Sequence, residues 1–493
     1  MYNDRHIIVI GAGIGGLAAG ALLAAEGAFV TVLEAQAFPG GCAATFRRNG
    51  CLFDAGATVG CGFHPGGPMD ELGRDLGIDW PVEAERVAWQ YRHGEMRLDL
   101  GRSRAEIFER FPHSLPFWKE QARLARLLWR LASGGLSWPP GNPGDLAGLL
   151  RKGMYGLPDS ARLVQFAPKT ALAWLAAHQL DGDREFVRFI DAQLLISTQT
   201  TSPYANALTA AIALDLPASG AWHVKGGMGR VAELLAKSIE EHGGAVLYGK
   251  RAVRIDSVRK EVMGVETADG SAYAADMVLA NLTPGAFAEL VGTHSAVRLP
   301  NRGTSPEWSA FTLYPVMDTS SFAPPECRHL QIAASGGELG EGNSIFVSFS
   351  RPGESGIAPE GLCAVTVSTH TRPEPWFAAF SRGGQEYLKL KNAYTERVLD
   401  LMASQLPGAR EAIRSLEAAT PLTWQRYTGR AGGYVGGYPQ TSLFDVRGPS
   451  TGFDNLFLVG DSIFPGQSLP GVATGARRTV ELVRRVKRVG GGQ

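Results

Sequence analysis

Cysteine is scarce in this chain, and neither sign of charge is in excess. Five of the 493 residues are cysteines and none stands in a CxxC pair, so neither a zinc site nor a secreted disulfide framework is indicated. We therefore expect reduced cysteines in an intracellular protein, and no bound metal. Lys+Arg and Asp+Glu each total 48, which gives a formal net charge of zero. Because a protein that binds nucleic acid by neutralising phosphates carries a basic excess, that class is excluded.

Long uncharged apolar runs are also missing, except at residues 7–25. That run contains five glycines, lacks a basic segment before it and has no small-residue cleavage site, so it is typical of a strand and a helix joined by a turn. No other stretch supplies 18 uncharged apolar residues, so nothing is expected to span a bilayer. At about 150 residues per domain, the length predicts roughly three domains or lobes.

The chain opens with a strand–turn–helix–strand pattern. The β-branched run His6–Ile10 predicts a buried parallel strand. The sequence GAGIGG follows at residues 11–16, then helix formers over Leu17–Ala25 and a second strand at Phe29–Leu33. Glu34 ends that strand, 18 residues after the last glycine of the turn. This is GxGxxG in the context that a dinucleotide-binding site requires.

Each part of this motif has a physical role. Gly11 permits a tight turn, Gly13 lets the backbone approach a pyrophosphate, and Gly16 lets the helix pack closely on the strand. The helix N-terminus offers free N–H groups and a positive dipole end to the phosphates. Glu34 can accept hydrogen bonds from ribose hydroxyls, which indicates an adenosine without a 2′-phosphate.

A second glycine pair follows the acidic strand end. Residues 39–48 read PGGCAATFRR, and small residues there suit a second backbone approach to the same cofactor, although an ordinary loop explains them equally well. The run from Glu34 to Gly56 resembles the flavin signature of the amine-oxidase and phytoene-desaturase superfamily. In that superfamily the glycine pair lies along the diphosphate and the flavin, so the resemblance implies FAD as the cofactor.

The C-terminal segment extends the resemblance. Residues 455–461, NLFLVGD, predict a buried strand that ends in a glycine and an acid, and a helix opens at LPGV and runs to about Arg488. In the superfamily, the aspartate that matches Asp461 binds the ribityl chain, and the helix N-terminus faces the pyrimidine edge of the flavin. That arrangement suits an anionic reduced flavin, because a helix N-terminus stabilises negative charge.

A third glycine run, HVKGGMGR at residues 223–230, precedes an amphipathic helix at Val231–His242. It lacks the GxGxxG spacing and resembles the GGMG turn of the superfamily. The resemblance also gives Val253 a backbone contact with the adenine, whereas from the residues alone Val253 is simply a strand residue. The cofactor-binding residues implied over the whole chain are Gly11, Gly13, Ile14, Gly15, Gly16, Glu34, Ala35, Gly40, Gly41, Ala43, Ala44, Val253, Gly460, Asp461, Gly471 and Val472.

The resemblance implies an α/β fold in which a Rossmann-like FAD-binding domain is assembled from discontinuous segments. Those segments are residues 1–85, 220–292 and 428–493. Residues 86–219 read as a mostly helical lobe, and residues 293–427 alternate apolar and polar in short runs typical of an antiparallel sheet. We expect this inserted sheet to form the floor of a substrate cavity, and the helical lobe to form its entrance.

The helical lobe contains one strongly amphipathic segment, Phe117–Leu131. At about 100° per residue, its apolar side chains fall on one face and its Lys and Arg side chains on the other. Such a helix either lies on a membrane with its cations toward anionic lipid or packs on the core, which is the commoner case. Apolar residues nearby favour an apolar entrance to the substrate cavity: Trp129, Trp138, Met154, Tyr155 and Trp174. We expect a cytoplasmic protein that associates peripherally with a membrane.

Over its whole length the chain is most similar to the carotenoid-desaturase branch of the superfamily, and within it to the carotenoid 3,4-desaturases. The helix start LPGV is that of desaturases, whereas the related isomerases usually lack this Pro-Gly, so desaturation is favoured. The mechanism implied is hydride transfer between a C–C bond of a long apolar polyene and flavin N5, with a proton exchanged elsewhere and the protein supplying an apolar tunnel. No second dinucleotide motif supports an NAD(P)H site. That leaves a quinone or oxygen as the electron acceptor.

Other activities stay open on the same motifs. They are a carotenoid cis–trans isomerase or polyene saturase, a flavin amine oxidase with an aromatic pair from Tyr434 and Phe464, and a non-enzymatic prenyl-lipid-binding protein, which would need eroded FAD motifs. The residues do not identify a catalytic acid or base. Candidates by position are His64, Asp191, His223, Glu307 and Arg426, and a structural hydrogen-bonding role is the commoner alternative for each.

Overall fold

The computed structural model describes residues 5–133, 138–140, 145, 147–148, 159–292 and 307–486. Met154, Tyr155, residues 293–306 of the predicted sheet region and residues 487–488 of the predicted last helix lie outside these ranges.

The strands, in chain order, are β1 His6–Ile10, β2 Phe29–Leu33, β3 Thr45–Arg48, β4 Cys51–Asp54, β5 Val82–Ala84, β6 Trp89–His93, β7 Met96–Leu100, β8 Trp222–Val224, β9 Ala245–Leu247, β10 Ala252–Val258, β11 Glu261–Thr267, β12 Ala272–Ala274, β13 Met277–Ala280, β14 Ser309–Asp318, β15 His329–Ala333, β16 Ser344–Phe349, β17 Leu362–Thr371, β18 Ile413–Ala419 and β19 Leu456–Leu458.

The α-helices are Ile14–Ala25, Pro68–Leu76, Ala105–Arg110, Leu115–Ser133, Asp159–Phe166, Ala171–Ala177, Arg184–Thr198, Ala207–Ala213, Leu216–Ser219, Gly229–Glu241, Pro284–Val291, Glu374–Arg382, Gly384–Gln405, Pro421–Thr428 and Leu469–Arg485, with short 3-10 turns at Gly41–Ala43, Pro112–Ser114 and Ala431–Gly433.

A parallel sheet forms the first layer. Its strand order is β19-β13-β1-β2-β9, and every neighbouring pair is parallel. Because these strands come from the start, the middle and the end of the chain, the predicted α/β fold assembled from discontinuous segments is confirmed. Side chains of β1 alternate between two cores. Ile7 and Val9 pack toward helices, and Ile8 and Ile10 pack toward the small antiparallel sheet β10–β12.

A second sheet has the order β18-β14-β17-β16-β15-β6-β7. The sequence predicted it from residues 293–427 alone, but β6 and β7 come from the region predicted to be helical from residue 86. These two strands form a hairpin whose turn contains Gly94 at φ +57°. An isolated hairpin is marginally stable, and this one gains partners by pairing β6 in parallel with β15. The sheet is therefore mixed, not purely antiparallel.

Strand β14 is buried along its whole length, although its sequence alternates. One face packs against the helices Glu374–Arg382 and Gly384–Gln405. The other face meets the β3–β4 hairpin and a cavity, which is where the polar side chain of Thr312 lies. The alternating residues of β14 therefore face a core on one side and a cavity on the other, and neither side faces solvent.

The amphipathic helix Leu115–Ser133 packs on the core of the helical lobe. Phe117 and Leu124 are buried, and the ring of Phe117 contacts those of Trp174 and Phe186. Lys119 lies on the exposed side. The apolar face of the helix is therefore used by the protein itself. Within the described ranges, no helix has the length and apolar character needed to cross a membrane.

Candidate active site

A cavity of about 530 Å³ lies between the carboxyl ends of the parallel strands and the seven-stranded sheet. Most of the residues predicted to bind the cofactor line it: Gly11, Gly13, Ile14, Gly15, Glu34, Ala35, Gly40, Gly41, Ala43, Gly460, Asp461 and Val472. The other four predicted residues, Gly16, Ala44, Val253 and Gly471, are not among the lining residues.

The first glycine turn is packed too tightly for side chains. Gly11 has a φ of +95°. A Cβ atom on Gly13 would lie 2.6 Å from Asn281 Nδ2, and one on Gly15 would lie 2.6 Å from the Cα of Gly460. Gly16 lies behind the turn, where a Cβ would be 2.5 Å from the carbonyl oxygen of Gly11. No side chain caps the helix that follows, so its first N–H groups are open to an anionic ligand.

Asn281, directly after β13, holds this turn in place. Its Nδ2 donates to the carbonyl oxygen of Gly11 at 3.2 Å, and its Oδ1 packs so closely on Gly460 that a Cβ there would lie 2.2 Å away. The sequence motifs did not predict a role for this residue. The available signal was its position after a buried strand, because the carboxyl ends of neighbouring parallel strands share one edge of the sheet.

Glu34 is fixed by the backbone at the end of β2. Its carboxylate accepts hydrogen bonds from the N–H groups of Ala12 at 2.7 Å and Gln36 at 2.8 Å. Burial raises the pKa of Glu34, and these backbone donors together with the charge of Arg251 counteract that rise. The carboxylate is therefore held at the cavity wall in one orientation, as a ribose-binding group requires.

The second glycine pair lies against the first turn. Gly40 has a φ of +119° and Gly41 a φ of +58°. The N–H of Gly40 donates to the carbonyl oxygen of Ala12 at 2.8 Å. Ala44 packs behind Gly40, where a Cβ would lie 2.7 Å from its Cα. The two glycine-rich segments thus form one continuous cradle, and Ala44 supports it from behind.

Asp461 forms a buried ion pair with Arg430. The guanidinium and the carboxylate are 2.9 Å apart, and the two side chains are 18% and 17% exposed. Burial alone would lower the pKa of Arg430, but the adjacent Asp461 raises it above the ordinary value, so the guanidinium stays charged. The motifs assign no role to Arg430. Lys250 and Arg251, the other positively charged residues of the described lining, lie beside Glu34.

The start of the last helix lies at the cavity, whereas Val253 does not line it. The Ser468 hydroxyl accepts a hydrogen bond from the N–H of Gly471 at 3.2 Å and caps the last helix, whose Val472 faces the cavity. Val253 is 45% exposed, and its neighbour Ala252 lines the cavity instead. The adenine contact of Val253 stays a prediction.

The charged residues that line the cavity all come from the segments around the parallel sheet: Glu34, Lys250, Arg251, Glu289, Arg430 and Asp461. The half against the seven-stranded sheet carries no charged side chain among its described lining residues. Its apolar members include Trp89, Ile196, Leu216, Phe346, Trp424, Val435 and Leu469. His370 also lies there, and burial lowers its pKa to about 4, so its imidazole is neutral at pH 7.

The five candidates for acid–base chemistry are not brought to this cavity. Asp191 accepts a hydrogen bond from the N–H of Ser202 at 2.6 Å, and His223 pairs with Glu354 at 2.7 Å. His64, Glu307 and Arg426 are likewise absent from the lining residues, as are Tyr434 and Phe464, the proposed aromatic pair. Within the part of the chain that the structure describes, no group of three or more His, Cys, Asp or Glu side chains is arranged to hold a metal ion.

Comparison with protein families identifies the family of the chain. Residues 14–484 match the family described as flavin containing amine oxidoreductase. The chain belongs to this family. It is an FAD-dependent enzyme, which confirms the resemblance found in the motifs and sets aside a non-enzymatic binding protein.

Curated relatives of this flavoenzyme include carotenoid enzymes. It is 28% identical to a chloroplastic prolycopene isomerase of Daucus carota over 496 residues, which is 96% of this chain and 78% of the relative. It is 23% identical to a lycopene-forming phytoene desaturase of Pantoea ananas, over 96% of this chain and 98% of that one.

Solved structures share its fold. An oxidoreductase from Methanosarcina mazei has a TM-score of 0.64 at 18% identity and covers 97% of this chain and 100% of its own. A putrescine oxidase bound to putrescine has a TM-score of 0.61 at 17% identity, over 97% and 98% of the two chains.

The described residues fit an FAD. The glycine cradle is a surface that Cβ atoms would fill, the uncapped helix start can receive a phosphate, and Glu34 stands where ribose hydroxyls would bind. When bound, the flavin supplies the capacity to accept two electrons as a hydride. The chain's own residues supply the cradle, the charge balance of the Arg430–Asp461 pair and an uncharged chamber beside it.

Proposed function

We propose that this flavoenzyme desaturates C–C bonds of a long apolar polyene. The observation that carries the proposal is the uncharged half of the cavity, whose floor is formed by β6, β14, β16 and β17. A carboxylate would stabilise an ammonium substrate at this position, and the described lining of this half offers none. The phytoene desaturases and prolycopene isomerases among the relatives support a carotenoid-like substrate.

The side chains of the chamber have a positioning role in this reaction. Trp89, Phe346 and Trp424 present flat apolar surface to a substrate without polar groups, so orientation comes from shape. Neutral His370 adds no charge that would require water beside the polyene. Exclusion of water protects the reacting carbon atoms from side reactions.

Cis–trans isomerisation is the second candidate. The chain is 27–28% identical to several prolycopene isomerases and 23–25% identical to several desaturases. The Leu469–Val472 helix start, with its Pro-Gly, favours desaturation.

The product mass separates the two reactions. FAD-loaded protein in liposomes is incubated with acyclic carotenoids and with retinol, and the products are weighed by mass spectrometry. Loss of two hydrogens per step supports desaturation. An unchanged mass with altered retention establishes isomerisation, and a gain of two hydrogens establishes saturation. Turnover of an amine with no change in any polyene would refute the polyene proposal.

We also propose that the enzyme works at a membrane surface and passes its electrons to a quinone or to oxygen. Since the apolar face of the helix Leu115–Ser133 is buried, its exposed basic face is the one that would meet anionic lipid. Lys119 and Arg126 lie on that exposed side, two turns apart. Flotation with anionic vesicles should fall in K119E/R126E and with added salt. Equal flotation of the variant and the wild type, or no flotation at all, would contradict this surface.

The acceptor can be tested without membranes. Anaerobically reduced enzyme is mixed with a short-chain quinone or with oxygenated buffer, and reoxidation is followed by flavin absorbance. Rapid reoxidation by either one supports the proposal. Reoxidation by NAD(P)⁺ alone would overturn it.

A further inference from the structure

Three side chains form an unbroken hydrogen-bonded chain along one face of the seven-stranded sheet. His329 Nδ1 lies 2.9 Å from Ser348 Oγ, and Ser348 Oγ lies 2.8 Å from Thr58 Oγ1. His329 and Ser348 are directly opposed in the register of β15 and β16. They are 3% and 7% exposed, so these two side chains are shielded from bulk solvent, and Thr58 is half-buried.

The two ends of this chain open into different spaces. Thr58 lines the flavin cavity. His329 lines a separate groove of about 340 Å³, which also contains the highly exposed side chains of Arg86 and Glu326 and therefore reaches the surface. Thr58, Ser348 and His329 also border a small polar cavity of about 50 Å³, which is large enough for water. The three side chains thus connect solvent to the flavin cavity by a route that does not use the cavity mouth.

We propose that His329, Ser348 and Thr58 form a proton path between the surface groove and the flavin cavity. None of the three belongs to the cofactor motifs, and the path requires only that flavin chemistry takes place in the cavity. It therefore rests on the family's cofactor and not on the choice of a polyene as substrate.

Hydrogen-bond directions determine how a proton would move. The Ser348 hydroxyl donates its hydrogen to Thr58 Oγ1, so Ser348 accepts from His329 Nδ1, which therefore carries the proton, and Nε2 is the accepting nitrogen. Thr58, which receives the second hydrogen bond, lines the flavin cavity. Both hydrogen bonds therefore run from His329 toward the cavity.

The transfer conserves protons and moves no electrons. As Thr58 gives its hydroxyl proton to an acceptor in the cavity, it receives the proton of Ser348, which receives the Nδ1 proton of His329. A water in the groove supplies a proton to Nε2. Each bond to hydrogen that breaks is replaced, so that one proton moves from the groove to the cavity. The two hydroxyls then rotate and His329 returns to its Nδ1–H tautomer, which restores the chain of hydrogen bonds.

The surroundings of His329 favour a neutral imidazole that passes a proton on, and they disfavour a protonated imidazole. Burial and the nearby positive groups Arg328 and Arg351, together with His223, hold the pKa of His329 well below its ordinary value. The imidazole therefore stays neutral, with one nitrogen that donates and one that accepts. Glu85 and Glu354 pair with Arg328 and His223 and balance the remaining charge of this region.

The first test measures the tautomer without cofactor or substrate. In protein labelled with ¹⁵N-histidine, the ring resonances of His329, assigned with H329Q, should show the Nδ1–H form. Replacement S348A removes the acceptor and should shift the population toward Nε2–H. The Nε2–H form in the wild type would overturn the assigned direction.

The second test measures proton uptake after flash photoreduction of the bound FAD by an added sacrificial electron donor, recorded with a pH-indicator dye. S348A and T58V should slow uptake about tenfold or more relative to the wild type, and T58S, which keeps the hydroxyl, should restore it. The matched control is S344A, because Ser344 lies on the same strand and is also 7% exposed, but its hydroxyl accepts from the N–H of Gly340 instead. FAD content shows that each variant is folded. Uptake at the wild-type rate in both S348A and T58V would refute the path.

These readouts separate the path from the proposed activity. Neither measurement contains a polyene, so the path can stand if the enzyme proves to be an isomerase, and it can fail while desaturation is confirmed.

Discussion

Asp54 is the residue whose environment makes the most quantitative prediction. It ends β4 and supports the GGMG turn, since its Oδ1 accepts hydrogen bonds from the Thr45 hydroxyl at 2.6 Å and the Met228 N–H at 2.7 Å. Burial raises its pKa from 3.8 to about 6, and the two hydrogen bonds counteract only part of that rise. Replacement by asparagine keeps the accepting oxygen and removes the charge.

The sign of the effect follows from proton binding. Between about pH 4 and pH 6 the folded chain holds a proton on Asp54 that the unfolded chain has released, so the wild type loses stability as the pH rises through this window. The two pKa values correspond to about 3 kcal/mol at 1.36 kcal/mol for each pKa unit. As the pH rises from 4 to 7, the free energy of unfolding of D54N should therefore increase by about 3 kcal/mol relative to that of the wild type.

Urea unfolding at several pH values tests this prediction. D318N is the control of opposite sign, because the Ser320 hydroxyl and Arg414 hold the pKa of Asp318 below its usual range. D318N should lose stability relative to the wild type as the pH rises to about 4, which is below the window in which Asp54 acts. If the D54N and wild-type profiles run parallel from pH 4 to pH 7, the argument from burial of the Asp54 carboxylate is refuted.

Three further variants probe the cofactor cradle. G15A places a Cβ 2.6 Å from the Cα of Gly460 and should abolish FAD retention, measured by flavin absorbance, whereas G285A, where nothing lies within 4 Å, should retain FAD fully. E34A should weaken FAD binding in fluorescence titrations by roughly 10- to 100-fold, the value of a charge-assisted hydrogen bond, and an unchanged Kd would exclude the ribose contact. R430M should lower the free energy of unfolding in urea by roughly 1 to 3 kcal/mol because it leaves the partly exposed Asp461 carboxylate without its partner, and R430M/D461N should recover most of that loss.

The elements that the sequence predicted well are those whose signal is local. The observed bounds of β1 and β2 are those expected, because a buried parallel strand is a short apolar run bounded by turn residues. The helix Leu469–Arg485 begins where the proline and the Ser468 cap place it. Most of the glycine and acidic residues expected at the cofactor do meet at one cavity, since their spacing is a property of one backbone motif.

The elements that the sequence missed depend on pairing across long separations. The hairpin of β6 and β7 joins a sheet whose other strands begin more than 200 residues later. The sequence of the hairpin does not indicate which strand it pairs with. Asn281 and Arg430 act through contacts with Gly11 and Asp461 that lie 270 and 31 residues away. Such side chains carry no local sequence signal, because their role depends on the residue that they contact in the folded chain.

The sequence by itself determined the cofactor class and the fold class of this protein. A glycine turn, an acidic strand end and a Gly-Asp near the C-terminus each require a specific backbone conformation, and conformation is encoded by residues that are close in the chain. The tertiary structure decided the uncharged half of the cavity, the buried Arg430–Asp461 pair and the line of hydrogen bonds from His329 to Thr58. These features depend on which side chains meet when distant strands pack together, because burial and hydrogen bonding are properties of the assembled core.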